Sequence, residues 1–376
     1  MIYLDNAATT FPKPGSVYEM SFQFMKGRAG NPGRGSHVFA NASAEMVEAC
    51  RRKTARFFGV EDFKRVVFTH NCTDSINMVM KGLLNPGDHV IATNLDHNSV
   101  SRPLQNLSQK GVEITRLPFE KSGKVPADRC RNAIRENTAL IVLNHGSNVL
   151  GSVQDWTSFL GAGIPLLLDA AQTAGRVPIT AGNLPVFVAC SAHKALFGMP
   201  GLGILIVPSG SALRAWREGG SGSASEKLEH PSELPMHLEA GTPNFLSIAS
   251  LFYGLEYMEQ EGIERIHRKE RQLARLLVEF LRSDARFELY SHFGDNDLAV
   301  LAFNIRGVPP EEAAAILDQR FGIAIRAGLH CAAVLHQQLG TLPDGCLRVS
   351  PGYFNTPIEI AALIEALSTI VEGYSS

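Results

Sequence analysis

Four short apolar runs limit most tightly how this chain can fold. Ala139-Leu-Ile-Val-Leu-Asn, Pro165-Leu-Leu-Leu-Asp, Val186-Phe-Val-Ala-Cys-Ser and Gly203-Ile-Leu-Ile-Val-Pro are strand-length and apolar at nearly every position. A strand with two apolar faces needs cover on both, as in a parallel sheet between helix layers. Arg65-Val-Val-Phe-Thr and His89-Val-Ile-Ala-Thr extend the series. Residues 43–58, 73–83 and 99–109 carry the helical spacing, and Asn85-Pro-Gly stops the second of them. The alternation predicts an α/β fold with a mostly parallel central sheet flanked by helices.

At 376 residues the chain exceeds one average domain. We expect a large α/β domain over 13–259 and a smaller α+β domain built from 1–12 and 260–376. A long helical region at 246–282 leads into the latter. Strands at 298–305, 323–326 and 347–350 follow, with helices at 311–320 and 358–371. The Gly/Ser-rich stretch 219–225 reads as a loop and a candidate for mobility.

Several function classes drop out. The net charge is -2 with no basic block, which argues against nucleic acid. No apolar run is long enough for a bilayer, and the first residues lack a signal-peptide pattern, so no membrane partner and a cytoplasmic location are expected. The six cysteines form no C-x-x-C pair, and their spacing suits no zinc site. Free thiols and no metal are the expectation.

The chemistry gathers at strand ends. Ser191-Ala-His-Lys puts Lys194 just past a buried strand, where open α/β sheets bind ligands. Burial there lowers an amine's pKa and frees it for a Schiff base. The ordinary alternative is a surface lysine opening a loop. Asp169 ends another apolar strand and needs a cationic partner or a helix to cap. The ring nitrogen of pyridoxal 5'-phosphate (PLP) would be such a partner. Thr69-His-Asn-Cys-Thr-Asp joins a strand to a helix, so its N–H groups and the Thr73 hydroxyl suit a phosphate, or simply cap the helix. His97, in Asp96-His-Asn-Ser, suits stacking on a flat ring, or is a satisfied loop residue.

Taken in order, phosphate loop, histidine, aspartate and lysine resemble the fold-type I PLP enzymes of aminotransferase class V, in particular the cysteine desulfurase and selenocysteine lyase group. The markers are Tyr3-Leu-Asp-Asn-Ala-Ala-Thr-Thr, Ser147-Asn-Val-Leu-Gly, Asp169-Ala-Ala-Gln, Ser191-Ala-His-Lys, Glu239-Ala-Gly-Thr-Pro-Asn and Arg326-Ala-Gly-Leu-His-Cys-Ala. They span nearly the whole chain.

The resemblance implies that Lys194 holds PLP, Asp169 meets the ring nitrogen, His97 stacks on the ring and Gln172 faces the 3-hydroxyl. It gives Cys72, Thr73, Ser191 and His193 to the phosphate, with Thr242 reaching it from the other subunit of a homodimer. Relatives often carry Thr at the position of Cys72; the backbone contact survives that change, though a thiol donates poorly. Asn148, Arg326 and Arg348 are given to an amino-acid substrate, Arg348 forking its carboxylate, and Asn6, Ala7 and Ala8 line the pocket.

Cys331 stands where the desulfurases keep their sulfur acceptor. Arg326 and His330 are expected to raise the local potential and favour its thiolate; an inert buried thiol is the ordinary alternative. The implied reaction takes sulfur from L-cysteine and leaves L-alanine and a Cys331 persulfide. A sulfur-acceptor protein is a possible partner, because the loop is short. Selenocysteine lyase, cystine lyase, epimerase and transaminase reactions share the cofactor residues and stay open. A silent scaffold on the same fold would be expected to have lost Lys194, Asp169 or Arg348.

Overall fold

The computed structural model describes residues 1–374 apart from 34, 36, 162 and 223–225. The last three positions of the 219–225 stretch therefore lie outside the described residues. The strands are β1 (Ile2–Tyr3), β2 (Val66–Thr69), β3 (His89–Thr93), β4 (Glu113–Leu117), β5 (Thr138–Asn144), β6 (Leu166–Asp169), β7 (Val186–Ser191), β8 (Gly203–Ile206), β9 (Phe287–Leu289), β10 (Leu301–Ile305), β11 (Ile323–Ala324) and β12 (Leu347–Val349). The helices are α1 (Gly15–Arg28), α2 (Val38–Phe57), α3 (Cys72–Leu83), α4 (Asn98–Ser108), α5 (Ala127–Ala133), α6 (Phe245–Glu261), α7 (Ile263–Ser283), α8 (Pro310–Phe321), α9 (Ala333–Leu339) and α10 (Pro357–Tyr374).

Seven strands form one sheet in the order β2-β8-β7-β6-β5-β3-β4. Only β8 runs against its neighbours. Strands β2, β3, β5, β6, β7 and β8 are buried along almost their whole length, as two apolar faces require. Gly203 lets β8 pass close to the loop after β2: a Cβ there would lie 2.3 Å from the Asn71 carbonyl carbon.

The expected helix over 246–282 is two helices. Gly262, at φ +82, ends α6 by donating its N–H to Met258 O (2.9 Å) and opens α7 by accepting from Ile266 N–H (3.1 Å). Only glycine adopts that conformation without strain.

The C-terminal part holds the antiparallel sheet β12-β10-β9, and β1 pairs in parallel with β11. Leu4 joins Leu277, Leu301, Phe303, Leu347 and Leu367 in the apolar cluster beneath. The chain's first residues thus pack with its last hundred.

Several ionisable groups are buried. Burial pushes His145, His193, His267 and His336 down to about 4, and His330 to about 3. An imidazole with a depressed native pKa gives stability that is full above the unfolded value of about 6.5 and fades as pH falls toward 4. Burial raises Asp96 to about 7 and also raises Glu270, which works with the opposite sign over the same range. Five imidazoles outweigh two carboxyls, so the melting temperature should fall on acidification from pH 6.5 to 4. His336→Gln, which removes one buried imidazole, should flatten the slope. A pH-independent melting temperature would contradict this.

Candidate functional site

The parallel strands turn their carboxyl ends to one edge of the sheet, and a cavity of about 200 Å³ opens there. Cys72 and Thr73 follow β2, His97 follows β3, Asn148 follows β5, Asp169 ends β6, and Ser191, His193 and Lys194 end and follow β7; with Gln172 they all line this cavity. In the parallel register Asn144, Asp169 and Ala189 stand side by side on β5, β6 and β7.

Lys194 is half-buried, and desolvation lowers its pKa, opposed by the nearby Cys72 and Asp169. No hydrogen bond to its amine is made among the described residues. Asp169 Oδ1 accepts the Ala171 N–H (3.1 Å) and the Cys72 S–H (3.8 Å). Its Oδ2 has no partner among the described residues. Burial, reinforced by Asp169, pushes the Cys72 thiol far up, so it stays protonated and keeps its S–H to donate.

His97 caps α4, accepting the Ser99 N–H at Nδ1 (3.0 Å). Burial lowers its pKa, so the neutral ring carries its proton on Nε2. Ser99 Oγ lies 2.8 Å from that Nδ1 and 2.7 Å from Thr73 Oγ1. One hydroxyl thus ties the start of α3 to the histidine. The first N–H groups of α3, at Cys72 and Thr73, have no partner within the helix. Such a helix start favours an anion.

The N-terminal segment packs against residues of the cavity wall. The His193 carbonyl accepts the Thr10 N–H (3.2 Å), the Thr9 hydroxyl (3.1 Å) and the Lys13 ammonium (3.1 Å). Gln172 Nε2 donates to Ala7 O (2.8 Å), and Asn6 Nδ2 donates to Ser350 O (3.0 Å). Ala8 turns the chain, donating its N–H to Asp5 O (3.0 Å). Arg348 is 1 % exposed and donates to Asn148 O (3.0 Å) and Asp5 Oδ1 (2.5 Å). Arg326 lies beside it, their backbones exchanging hydrogen bonds of 2.7 and 3.3 Å.

Cys331 is the only one of the six free cysteines that is not buried. His330 and Cys331 both adopt left-handed φ, +46 and +58, which costs roughly 1–3 kcal/mol per residue. Bonds from other parts of the chain hold them there. Asn98 N–H donates to Cys331 O and Asn148 Nδ2 to His330 O, each at 2.7 Å, and His330 Nε2 donates to Cys346 O (2.9 Å). The expectation that His330 adds positive charge beside the thiol is corrected: burial keeps this imidazole neutral.

Thr242 stands apart from this cavity. It lines a separate cavity of about 430 Å³ with Arg51, Arg217 and Glu239. Three residues that shape the site carried no assignment from sequence: Ser99, Lys13 and Asp5. Ser99 and Asp5 stood within the quoted motifs, but which partner each would meet could not be read from them.

The residues fit a ligand that brings donors, an anion and a carbonyl. The amide oxygens of Asn144, Asn148 and Gln172 line the cavity, buried and without partners, opposite a lysine whose pKa is lowered and a helix start. Fold and site together define a fold-type I enzyme of the PLP class. The chain belongs to the aminotransferase class-V family, whose sequence profile matches residues 2–363. It is 32% identical to a probable cysteine desulfurase of Methanothermobacter thermautotrophicus, across 98% of this chain and 94% of that one. It is equally, 32%, identical to the cysteine desulfurase CsdA of Escherichia coli, across 99% and 94%. Among solved structures, the apo cysteine desulfurase of Thermococcus onnurineus superposes with a TM-score of 0.90 at 28% identity, covering 99% of this chain and 95% of that one. No helix among the described residues is long and apolar enough to cross a membrane.

Proposed function

We propose that this chain is a PLP-dependent cysteine desulfurase that moves the sulfur of L-cysteine onto Cys331. The observation that carries the reading is a half-buried Lys194 amine, without a hydrogen-bond partner among the described residues, beside the Asp169 carboxylate at the ends of adjacent strands. Bound PLP supplies an electron sink to the amino acid. Lys194 would be its covalent anchor and, when free, would take a proton from the substrate's Cα and return it. Asp169 would keep the ring nitrogen charged. His97 would offer its flat face to the ring, and its Nε2–H would serve the same proton transfers. Gln172 would meet the 3-hydroxyl, and Cys72, Thr73, Ser191 and His193 would hold the phosphate.

Asn148, Arg326 and Arg348 hold the substrate, in a pocket closed by Asn6, Ala7 and Ala8. Cys331 thiolate attacks the substrate sulfur. An S–S bond forms, the carbon–sulfur bond breaks, and the electron pair stays with the carbon framework that leaves as L-alanine. The thiol's proton replaces the lost sulfur substituent, so no external oxidant is needed.

Thr242 fits a contact with the other subunit of a homodimer, being remote from the cavity of its own chain. The pinned Cys331 loop favours delivery to an acceptor protein that comes to it. The division into 13–259 and 1–12 with 260–376 draws support from the separate apolar cluster joining Leu4 to 273–371. Six free cysteines suit a reducing cytoplasm.

Mass spectrometry of the cofactor-loaded protein after incubation with L-cysteine tests the reading. One sulfur atom added on the peptide containing Cys331, with L-alanine in the supernatant, is the expected result. Sulfur on no cysteine, with alanine absent, would overturn it.

A further inference from the structure

We infer that Asp5 is the positioning residue of the substrate's carboxylate site, acting through Arg348; this rests on the amino-acid reading given above. Arg348 lies almost wholly buried, and its three nitrogens differ. Nη2 donates to Asp5 Oδ1 (2.5 Å) and Nη1 to Asn148 O (3.0 Å). Nε is buried and has no acceptor. A buried charge-bearing donor left unmet is costly, so this group waits for a ligand.

Two contacts fix the guanidinium and leave its buried Nε–H unspent. A guanidinium pre-set in this way loses less freedom when a carboxylate binds. The backbone of Asp5 is fixed beside Arg348. It bridges to Ser350, its carbonyl accepts the Tyr3 hydroxyl (3.1 Å), and the next residue's N–H donates to Ser350 O (3.1 Å).

Charge points the same way. Arg326 and Arg348 are backbone neighbours, and Asp5 pairs with Arg348, leaving the Arg326 charge beside it unneutralised by Asp5. That surplus suits an incoming carboxylate. Without Asp5 the buried Arg348 would have only a carbonyl to hold it, and its ordinary rotamers would compete with the productive one.

The test is binding to the cofactor-loaded full chain, read by absorbance, with two probes. L-Alanine carries a carboxylate; cysteamine has the amine and thiol without it. Asp5→Ala should bind L-alanine about tenfold more weakly and cysteamine as the unmodified protein does. Asp5→Asn keeps an oxygen opposite Nη2 and should recover part of the loss. With cysteine as substrate the defect should fall on KM rather than kcat. Equal weakening of both probes would mean a general structural role and would overturn the inference, as would unchanged alanine affinity. If Asp5→Ala does not fold, the alanine-to-cysteamine ratio in Asp5→Asn decides alone. Because the readout is binding, a chain that binds alanine with this split yet never desulfurates cysteine would sink the desulfurase reading and leave Asp5 in place.

Discussion

Lys194→Ala is expected to purify without the colour of bound PLP and to turn over L-cysteine at a rate lower by on the order of 10⁴. That factor corresponds to about 5.5 kcal/mol of lost transition-state stabilisation. Two functions leave with one amine: the covalent anchor and the group that moves the substrate's proton. Nothing nearby can replace it. The next ammonium toward the site, Lys13, is spent on the Thr10 and His193 carbonyls. Loss of folding would give the same inactivity, so melting temperature separates the two. Burial already disfavours the charged amine, which makes no hydrogen bond among the described residues, so the variant should melt no lower than the cofactor-free parent. A coloured, active Lys194→Ala protein would end the assignment.

Cys331→Ala should lose sulfur transfer, with cysteine turnover down by about 10³ or more, while cysteine still perturbs the absorbance of the bound cofactor. The other five thiols cannot take over. Burial raises Cys50 and Cys346 to about 12 and Cys130 to about 11, and raises Cys72 and Cys190 as well. Their thiolate fractions at neutral pH are negligible, and the thiolate is the nucleophile. Full activity in this variant would move the reaction toward selenocysteine lysis, which has less need of a protein thiol.

The central sheet was legible because its strands are apolar on both faces. Residues 139–144, 165–169 and 186–191 admit few other readings. The edge strand β4, Glu-Ile-Thr-Arg-Leu, escaped notice because an edge tolerates polar residues and its pattern is no stronger than a loop's. Helix α1 escaped for another reason. Tyr18, Met20, Phe22 and Met25 are apolar yet substantially exposed, so no buried stripe stands out along it. The break at Gly262 is a single residue inside two helical patterns, which periodicity reads as continuous.

In the site, Lys194 and Asp169 declared themselves as polar residues ending apolar strands. Ser99 did not, since its part is to join two loops that only the sheet brings together. Asp5 was visible as a letter but not as a partner, because the residue it meets is 343 positions away.

That separation matters while the protein is being made. β1 needs β11, Asn6 and Ala7 need Ser350, and Asp5 needs Arg348. Residues 2–6 therefore have no lasting place to settle until nearly the whole polypeptide has left the ribosome, although Thr9, Thr10 and Lys13 can dock on the His193 carbonyl earlier. The pocket is finished last, by a segment synthesised first, so unfinished or C-terminally clipped chains would hold the lysine and the aspartate without the enclosure that makes them useful.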